Sequence, residues 1–260
     1  MSYILVSDIH GFCSELMRAI APVMGKDDVL VVLGDILDRG KEAKATVAFL
    51  MRLLSEGRLI LIRGNHEDLF LDCLRDIENG RIYWAASASH HLTNGTFDTL
   101  LQLTDMTVEQ ALDDPMELVR RAKESDYYKT LIPACRDYVE IDNYILVHGW
   151  IPAMVDGWGR YARYFYDPYW RDATAEEWRL ARWFNGMELA HFHKIREDGK
   201  VIVCGHWHTS YGHSVINGRG DEFGENADHS PYFGPGIMAI DGSTARTGKV
   251  NCVVIEGEIL

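Results

Sequence analysis

Five times along this chain a short apolar run ends in residues suited to holding cations rather than to packing. Tyr3–Val6 leads into Asp8-Ile9-His10, Val29–Leu33 into Gly34-Asp35-Ile36-Leu37-Asp38-Arg39-Gly40, and Leu59–Ile62 into Gly64-Asn65-His66-Glu67. Tyr144–Val147 precedes His148-Gly149, and Val201–Cys204 precedes Gly205-His206-Trp207-His208. Such short runs of Ile, Leu and Val read as buried strands. An open α/β sheet gathers its reactive groups at the ends of its parallel strands. Asp, Asn and His are hard and borderline metal ligands. The repeated junction therefore constrains the fold and the chemistry together.

Helical spacing fills the gaps between the first strands. Cys13–Met24, Glu42–Ser55 and Glu67–Ile77 carry apolar stripes, with Gly57 and Gly80 closing the second and third. The expected order is β-α-β-α-β, parallel, with right-handed crossovers. Residues 81–140 turn polar and helical, broken by Asn94-Gly95 and Pro115, and suggest a helical insertion or cap with helices at Phe97–Leu103 and Met116–Lys129. Trp150–Lys200 is rich in Trp, Tyr and Arg and is expected to be irregular, lining or covering the cleft. His213–Pro235 reads as a long Gly-rich loop. Strands return at Gly236–Ile240 and Asn251–Ile255. No linker composition interrupts the chain, so one domain over 1–260 is expected.

Composition narrows the function classes. The 260 residues are 47% hydrophobic and 25% charged, as in ordinary globular proteins. No apolar stretch approaches the ~20 residues of a membrane span, and Met1-Ser2 enters a strand without a basic, cleavable leader. Cys13, Cys73, Cys135, Cys204 and Cys252 are odd in number and scattered, which argues for reduced thiols. A cytoplasmic location is expected. The net charge of −13 disfavours nucleic acid. A small phosphorylated substrate stays open, because bound cations set the local sign.

Two divalent ions about 3.5–4 Å apart can clamp both oxygens of a phosphoryl displacement. Such a pair needs a bridging anion, and Asp35 is the best candidate. Asp8 and His10 would hold one ion, and Asn65, His148 and His206 the other. A water shared between the ions would ionise near neutral pH and act as nucleophile.

Together, Asp8-Ile9-His10-Gly11, Gly34-Asp35…Asp38-Arg39-Gly40 and Arg63-Gly64-Asn65-His66-Glu67, followed by His148-Gly149 and Gly205-His206, resemble the ordered motifs of calcineurin-like metallophosphoesterases. Their form is that of the phosphoprotein phosphatase branch, which includes bacterial Ser/Thr phosphatases and symmetrical diadenosine tetraphosphatases. Trp84 with Asn94-Gly95 resembles a W…NGG element, although Thr96 replaces the last glycine. Asp241-Gly242…Gly248-Lys249-Val250 resembles the closing hairpin. The resemblance implies an αββα sandwich of two mixed sheets flanked by helices, with two ions at the strand ends. Mn²⁺ is the expected metal, with Fe/Zn or Mn/Fe as alternatives. His66 would be the general acid, steered by Asp38, which as a carboxylate partner fixes the tautomer and raises the basicity. Arg39 and Asn65 would meet the phosphate. A second phosphate arginine is expected at Arg182, with Arg163 and Arg160 as competitors. His208 would ligate the first ion, as in more distant members.

The expected function is a dinuclear-metal phosphatase acting on phosphoserine or phosphothreonine, in protein or peptide, or on a small phosphomonoester. Hydrolysis of a symmetrical dinucleoside tetraphosphate is the alternative. An inactive phospho-binding scaffold would have lost a ligand or the acid, and none is lost. His90-His91 and the His191/His193 pair, which cannot share a helical face, read as ordinary surface or loop residues. Trp150, Trp158, Trp170, Trp178 and Trp183, with Tyr161, Tyr164, Tyr166 and Tyr169, read mainly as packing, with a stacking wall for a base or side chain as the other possibility.

Overall fold

The computed structural model describes residues 2–81, 90–157 and 162–260. One sheet has the order β11 (Val253–Glu256), β1 (Ser2–Val6), β2 (Val29–Leu33), β3 (Leu59–Ile62); β1 to β3 are parallel and β11 is antiparallel to β1. The other has the order β4 (Val139–Ile141), β5 (Tyr144–Leu146), β8 (Val201–Cys204), β10 (Ile237–Ala239), β9 (Tyr232–Gly234), with β5, β8 and β10 parallel. β6 (Ala153–Asp156) and β7 (Arg163–Tyr166) form a separate antiparallel pair.

Strand alternation builds the layers. β1 sends Tyr3 and Leu5 between the sheets, where they meet Leu146, Val203 and Met238 of the other sheet. Its Ile4 and Val6 point the opposite way, under the helices. Both faces of β2 are covered, so all five of its residues are buried. α1 (Cys13–Ile20), α2 (Ala43–Ser55) and α3 (Asn65–Glu78) flank the first sheet. Beyond α4 (His90–Thr93), the insertion adds α5 (Thr96–Thr104), α6 (Val108–Asp113), α7 (Pro115–Glu124) and α8 (Ile132–Ala134). Its Phe97, Leu100, Leu118 and Val119 extend the core beneath α2 and α3. The second sheet is covered by α9 (Ala175–Ala181), α10 (Gly186–His191) and the buried Trp150, Trp170 and Trp178. This is the mixed two-sheet sandwich that the motifs implied.

Several local expectations need correction. α1 stops at Ile20, because Pro22 supplies no N–H to continue it. The expected helix Met116–Lys129 breaks at Ser125, which is extended and whose hydroxyl donates to Ala122 O at 2.6 Å. The chain then resumes as a π turn, Tyr127–Leu131. A serine that bonds its own backbone offers the chain an alternative to continuing a helix. The described residues of 150–200 are not wholly irregular; their strands and helical turns are only three to seven residues long, too short to show a period. No closing hairpin exists, since β10 and β11 lie in different sheets and α11 (Thr244–Thr247) sits in the crossing. Trp84, Trp158, Arg160 and Tyr161 lie outside the described residues.

The sheet-to-sheet layer should dominate stability. Leu5→Ala, between the sheets, is expected to lower the unfolding free energy by about 2–5 kcal/mol in urea titration. Val254→Ala, on the same sheet but 46% exposed, should change it by about 0.5 kcal/mol or less.

Candidate metal centre

The five strand ends converge. The loop after β1 brings Asp8 and His10, the loop after β2 brings Asp35, Asp38 and Arg39, and the start of α3 brings Asn65 and His66. His148 follows β5 and His206 follows β8. Asp8, His10, Asp35, Asn65, His66 and His148 are buried.

Asp35 stands between two imidazole groups. Its Oδ1 is 3.2 Å from His148 Nε2, and its Oδ2 is 3.8 Å from both His10 Nε2 and His66 Nε2. His10, Asp35 and His66 form one set with ligand atoms within 4.8 Å of one another, and Asp35, His148 and His206 form a second. One carboxylate thus faces both sets, one oxygen to each. Asn65 Oδ1 lies 2.8 Å from His148 Nε2 and 2.9 Å from His206 Nδ1. Asp8 sits beside the first set, with Oδ1 4.0 Å from His10 Nε2. Its Oδ2 accepts from the His206 amide at 3.0 Å and from the Ser7 hydroxyl.

Proton positions follow from the partners. His148 Nδ1 donates to Leu33 O at 2.6 Å, so its Nε2 carries a bare lone pair toward Asp35 and Asn65. Arg39 donates to His10 Nε2 at 2.8 Å and to His66 Nε2 at 3.1 Å. A guanidinium cannot accept, so both imidazoles keep their hydrogen on Nδ1. His10 Nδ1 then donates to Leu37 O at 3.1 Å, and His66 Nδ1 to Asp38 Oδ2 at 2.7 Å. Thr96 donates to the same Asp38 oxygen at 2.8 Å. The centre is therefore a convergence of lone pairs and carboxylate oxygens, and that donor set fits divalent cations.

The electrostatics agree. Burial holds the His10 and His148 pKa values well below the usual imidazole range, helped by His66 and His206 respectively. Burial, with His66 nearby, pushes His206 down to about 3. These rings are neutral and able to ligate. Burial raises Asp8 well above the carboxylate range, aided by the Asp241 charge, and raises Asp35 likewise, aided by Asp8 and Glu67. Asp241, buried at the centre's edge, is lifted to about 6.

Glu67 holds the frame. Its Oε2 accepts from the amides of Asp35 (3.1 Å) and Gly64 (2.7 Å), and its Oε1 from the Ile36 amide (3.0 Å) and the Tyr127 hydroxyl (2.9 Å). It ties the loop after β2 to the start of α3 and to the helical insertion. Gly34 and Gly64 are more than turn residues here. Gly34 has φ +82°, and a Cβ on it would lie 2.6 Å from both Gly64 Cα and His148 Nδ1. A Cβ on Gly64 would lie 2.3 Å from Asp35 Oδ1.

Two expected site residues lie elsewhere. Arg182 is buried and ion-paired, with Nη1 donating to Asp68 Oδ2 at 2.7 Å and Nη2 to Asp137. It clamps the end of α9 to α3 and does not present its guanidinium to a phosphate. His208 belongs to neither imidazole set; its Nδ1 bonds Ser210 Oγ at 2.8 Å and its Nε2 is 3.4 Å from Glu222 Oε1. Sequence reasoning gave no role to Glu67, Thr96, Tyr127 or Asp241. Glu67, Thr96 and Asp241 each stood in or beside a motif without being assigned a role there; Tyr127 carried no local signal.

The family pattern described as Calcineurin-like phosphoesterase matches residues 1–210. The chain belongs to this family. Among its relatives, Serine/threonine-protein phosphatase 1 of Salmonella typhimurium is 39% identical over 70 residues, 26% of this chain and 31% of the relative. The asymmetrical bis(5'-nucleosyl)-tetraphosphatase PrpE of Bacillus velezensis is 30% identical over 76 residues, 25% of this chain and 30% of the relative. The matched stretches thus span about a third of each relative. The cold-active protein-tyrosine phosphatase of a psychrophilic Shewanella superimposes with a TM-score of 0.52 at 15% identity, covering 98% of this chain and 75% of that one. That likeness is one of fold. Among the described residues, no helix is long and apolar enough to cross a membrane.

Two outcomes test the site's physics. In Glu67→Gln one side-chain oxygen becomes an NH₂ facing two donors, which should lower the unfolding free energy by about 2–6 kcal/mol, at 1–3 per unpaired group. The buried carboxylates keep protons that a cation must displace, whereas the imidazoles are already neutral. Mn²⁺ binding should therefore release protons near pH 5, and the share that comes from Asp241 should fade as pH rises past its value of about 6. Calorimetry in buffers of different ionisation enthalpy measures this directly.

Proposed function

We propose that this chain is a metal-dependent phosphomonoesterase acting on phosphoserine or phosphothreonine in a protein or peptide, or on a small phosphomonoester. The observation that carries the reading is Asp35, whose two oxygens each face a separate set of imidazoles. Asp8, His10 and Asp35 would hold one divalent ion, and Asp35, Asn65, His148 and His206 the second. Mn²⁺, Fe/Zn and Mn/Fe all suit such N/O ligands. Bound there, the two ions would activate water and neutralise charge developing on the phosphate.

The chain's own residues do the rest. Arg39 binds two phosphoryl oxygens in its planar fork. When it moves onto the phosphate, it frees the Nε2 atoms of His10 and His66, to which it now donates. The freed Nε2 of His66 takes up a proton from solvent while Nδ1 stays on Asp38, and then gives that proton to the departing ester oxygen. Thr96 donates to the same Asp38 oxygen that meets His66, and so holds that carboxylate in place against the ring. We place the enzyme in the cytoplasm, on the strength of its five unpaired cysteines.

The test is a side-by-side assay of the Mn²⁺-loaded protein on a phosphothreonine peptide, p-nitrophenyl phosphate and diadenosine tetraphosphate. Turnover of the first two is expected, and it should disappear with a chelator and return with Mn²⁺. A strong preference for the dinucleotide would replace this reading with the tetraphosphatase one. Asp35→Asn and His66→Asn should each reduce kcat by about 10²–10⁴-fold while leaving a folded protein; wild-type rates in either variant contradict the assigned roles.

A further inference from the structure

A cleft of about 480 Å³ opens beside the metal centre. His10, Arg39 and His206 stand at its inner end, and Phe223 and Arg246 line it further out. A row of rings connects the two ends. The ring centroids of His206 and Trp207 are 6.1 Å apart, those of Trp207 and His208 6.0 Å with planes at 25°, and those of His208 and Phe223 5.0 Å. The outer part is built, not loose. Ser210 Oγ donates to the Glu222 carbonyl at 2.8 Å while it accepts from His208 Nδ1, so the stretch carrying Phe223 is tied to the ring row. The Arg246 guanidinium lies 5.3 Å from the centre of the Phe223 ring. Yet Phe223 itself is 53% exposed and belongs to none of the core clusters.

An exposed aromatic ring held in place at the outer end of a catalytic cleft is a surface for stacking. Two rings, Trp207 and His208, separate Phe223 from His206, so its ring stands outward along the cleft from the centre. A peptide advances about 3.3–3.6 Å per residue, so the residues flanking a phosphorylated one run outward along such a cleft. Arg246 adds a cation to the ring wall in a protein whose net charge is −13.

We propose that Phe223, His208 and Arg246 form a subsite that selects phosphopeptides carrying an aromatic side chain one to three positions from the phosphorylated residue. This rests on the phosphatase reading above and adds the class of peptide preferred. The experiment uses paired phosphothreonine peptides that differ only in Trp or Ala at each of those positions, on either side, with p-nitrophenyl phosphate as a substrate that has no flank. The Mn²⁺-loaded wild type should favour one aromatic-bearing peptide in kcat/KM by about tenfold, the upper range for one aromatic pair. Phe223→Ala should erase that ratio, and Phe223→Leu, which keeps the bulk without the ring face, should erase most of it. Thermal unfolding confirms that both variants are folded. Turnover of p-nitrophenyl phosphate with no aromatic preference at any position overturns the subsite and leaves the phosphatase reading standing. A preference that survives Phe223→Ala also overturns it. Failure to hydrolyse any of these esters overturns both. Discrimination confined to diadenosine tetraphosphate, and lost in Phe223→Ala, would mean that the ring recognises a nucleobase, against the peptide assignment.

Discussion

The placement of one carboxylate organises this molecule's chemistry. Asp35 faces His148 with one oxygen and His10 with the other, and Oδ1 also accepts from the His66 amide at 3.0 Å. That position depends on three loops packed closer than side chains would permit, hence Gly34 against Gly64. It depends equally on Glu67, which has no exposed surface and accepts from four donors on three segments. A buried carboxylate so fully satisfied acts as a rigid joint, because losing any partner leaves a costly unpaired group. The helical insertion, which looks remote in sequence, enters the centre through this joint by way of Tyr127.

The centre is held against local preference. Asp8, His10, Asp35, Asp38, Arg39 and His206 all have positive φ, between 51° and 76°. Non-glycine residues in that region cost about 1–2 kcal/mol each. Three carboxylates, Asp8, Asp35 and Asp241, are also buried with raised pKa values and little cationic company. The apolar layers on both faces of each sheet offset these penalties, and they explain why so many strand residues are completely buried. The left-handed residues turn the ends of β1, β2 and β8 sharply, so that their ligands point inward instead of along the strand. Concentrating unfavourable backbone and unfavourable charge at one spot is the signature of a site kept for chemistry.

What could be read from the sequence follows the range of the physics involved. The strand ends were legible because an apolar run followed by Asp, Asn or His is a local pattern. The first three strands and their helices were legible because each repeats a period over enough residues. Arg182 was misjudged because its partners, Asp68 and Asp137, are 114 and 45 residues away and became neighbours only on folding. His208 was misjudged because spacing alone cannot tell which way a side chain turns after a left-handed residue, and His206 has φ +65°. Thr96 shows the same limit from the other side. It looked like a departure from a glycine pattern, yet its hydroxyl is what bonds Asp38.

In the proposed mechanism Arg39 would link metal binding to substrate binding. Its guanidinium donates to His10 Nε2, the atom through which His10 would ligate a cation. One lone pair cannot serve both, so in the proposed mechanism a cation held by His10 would displace the arginine. The same guanidinium also covers His66 Nε2, the atom from which the proposed acid must give its proton. Displacement would therefore free His66 Nε2 to take up the proton that the proposed acid gives, and would release a bidentate phosphate binder in the same step. The backbone need not move, since Arg39 alone is exposed among the residues of its loop from Gly34 to Gly40. In the proposed mechanism the arginine would mask the nitrogen of the acid until a cation took its place on His10, so competition for a single nitrogen would set the order of assembly.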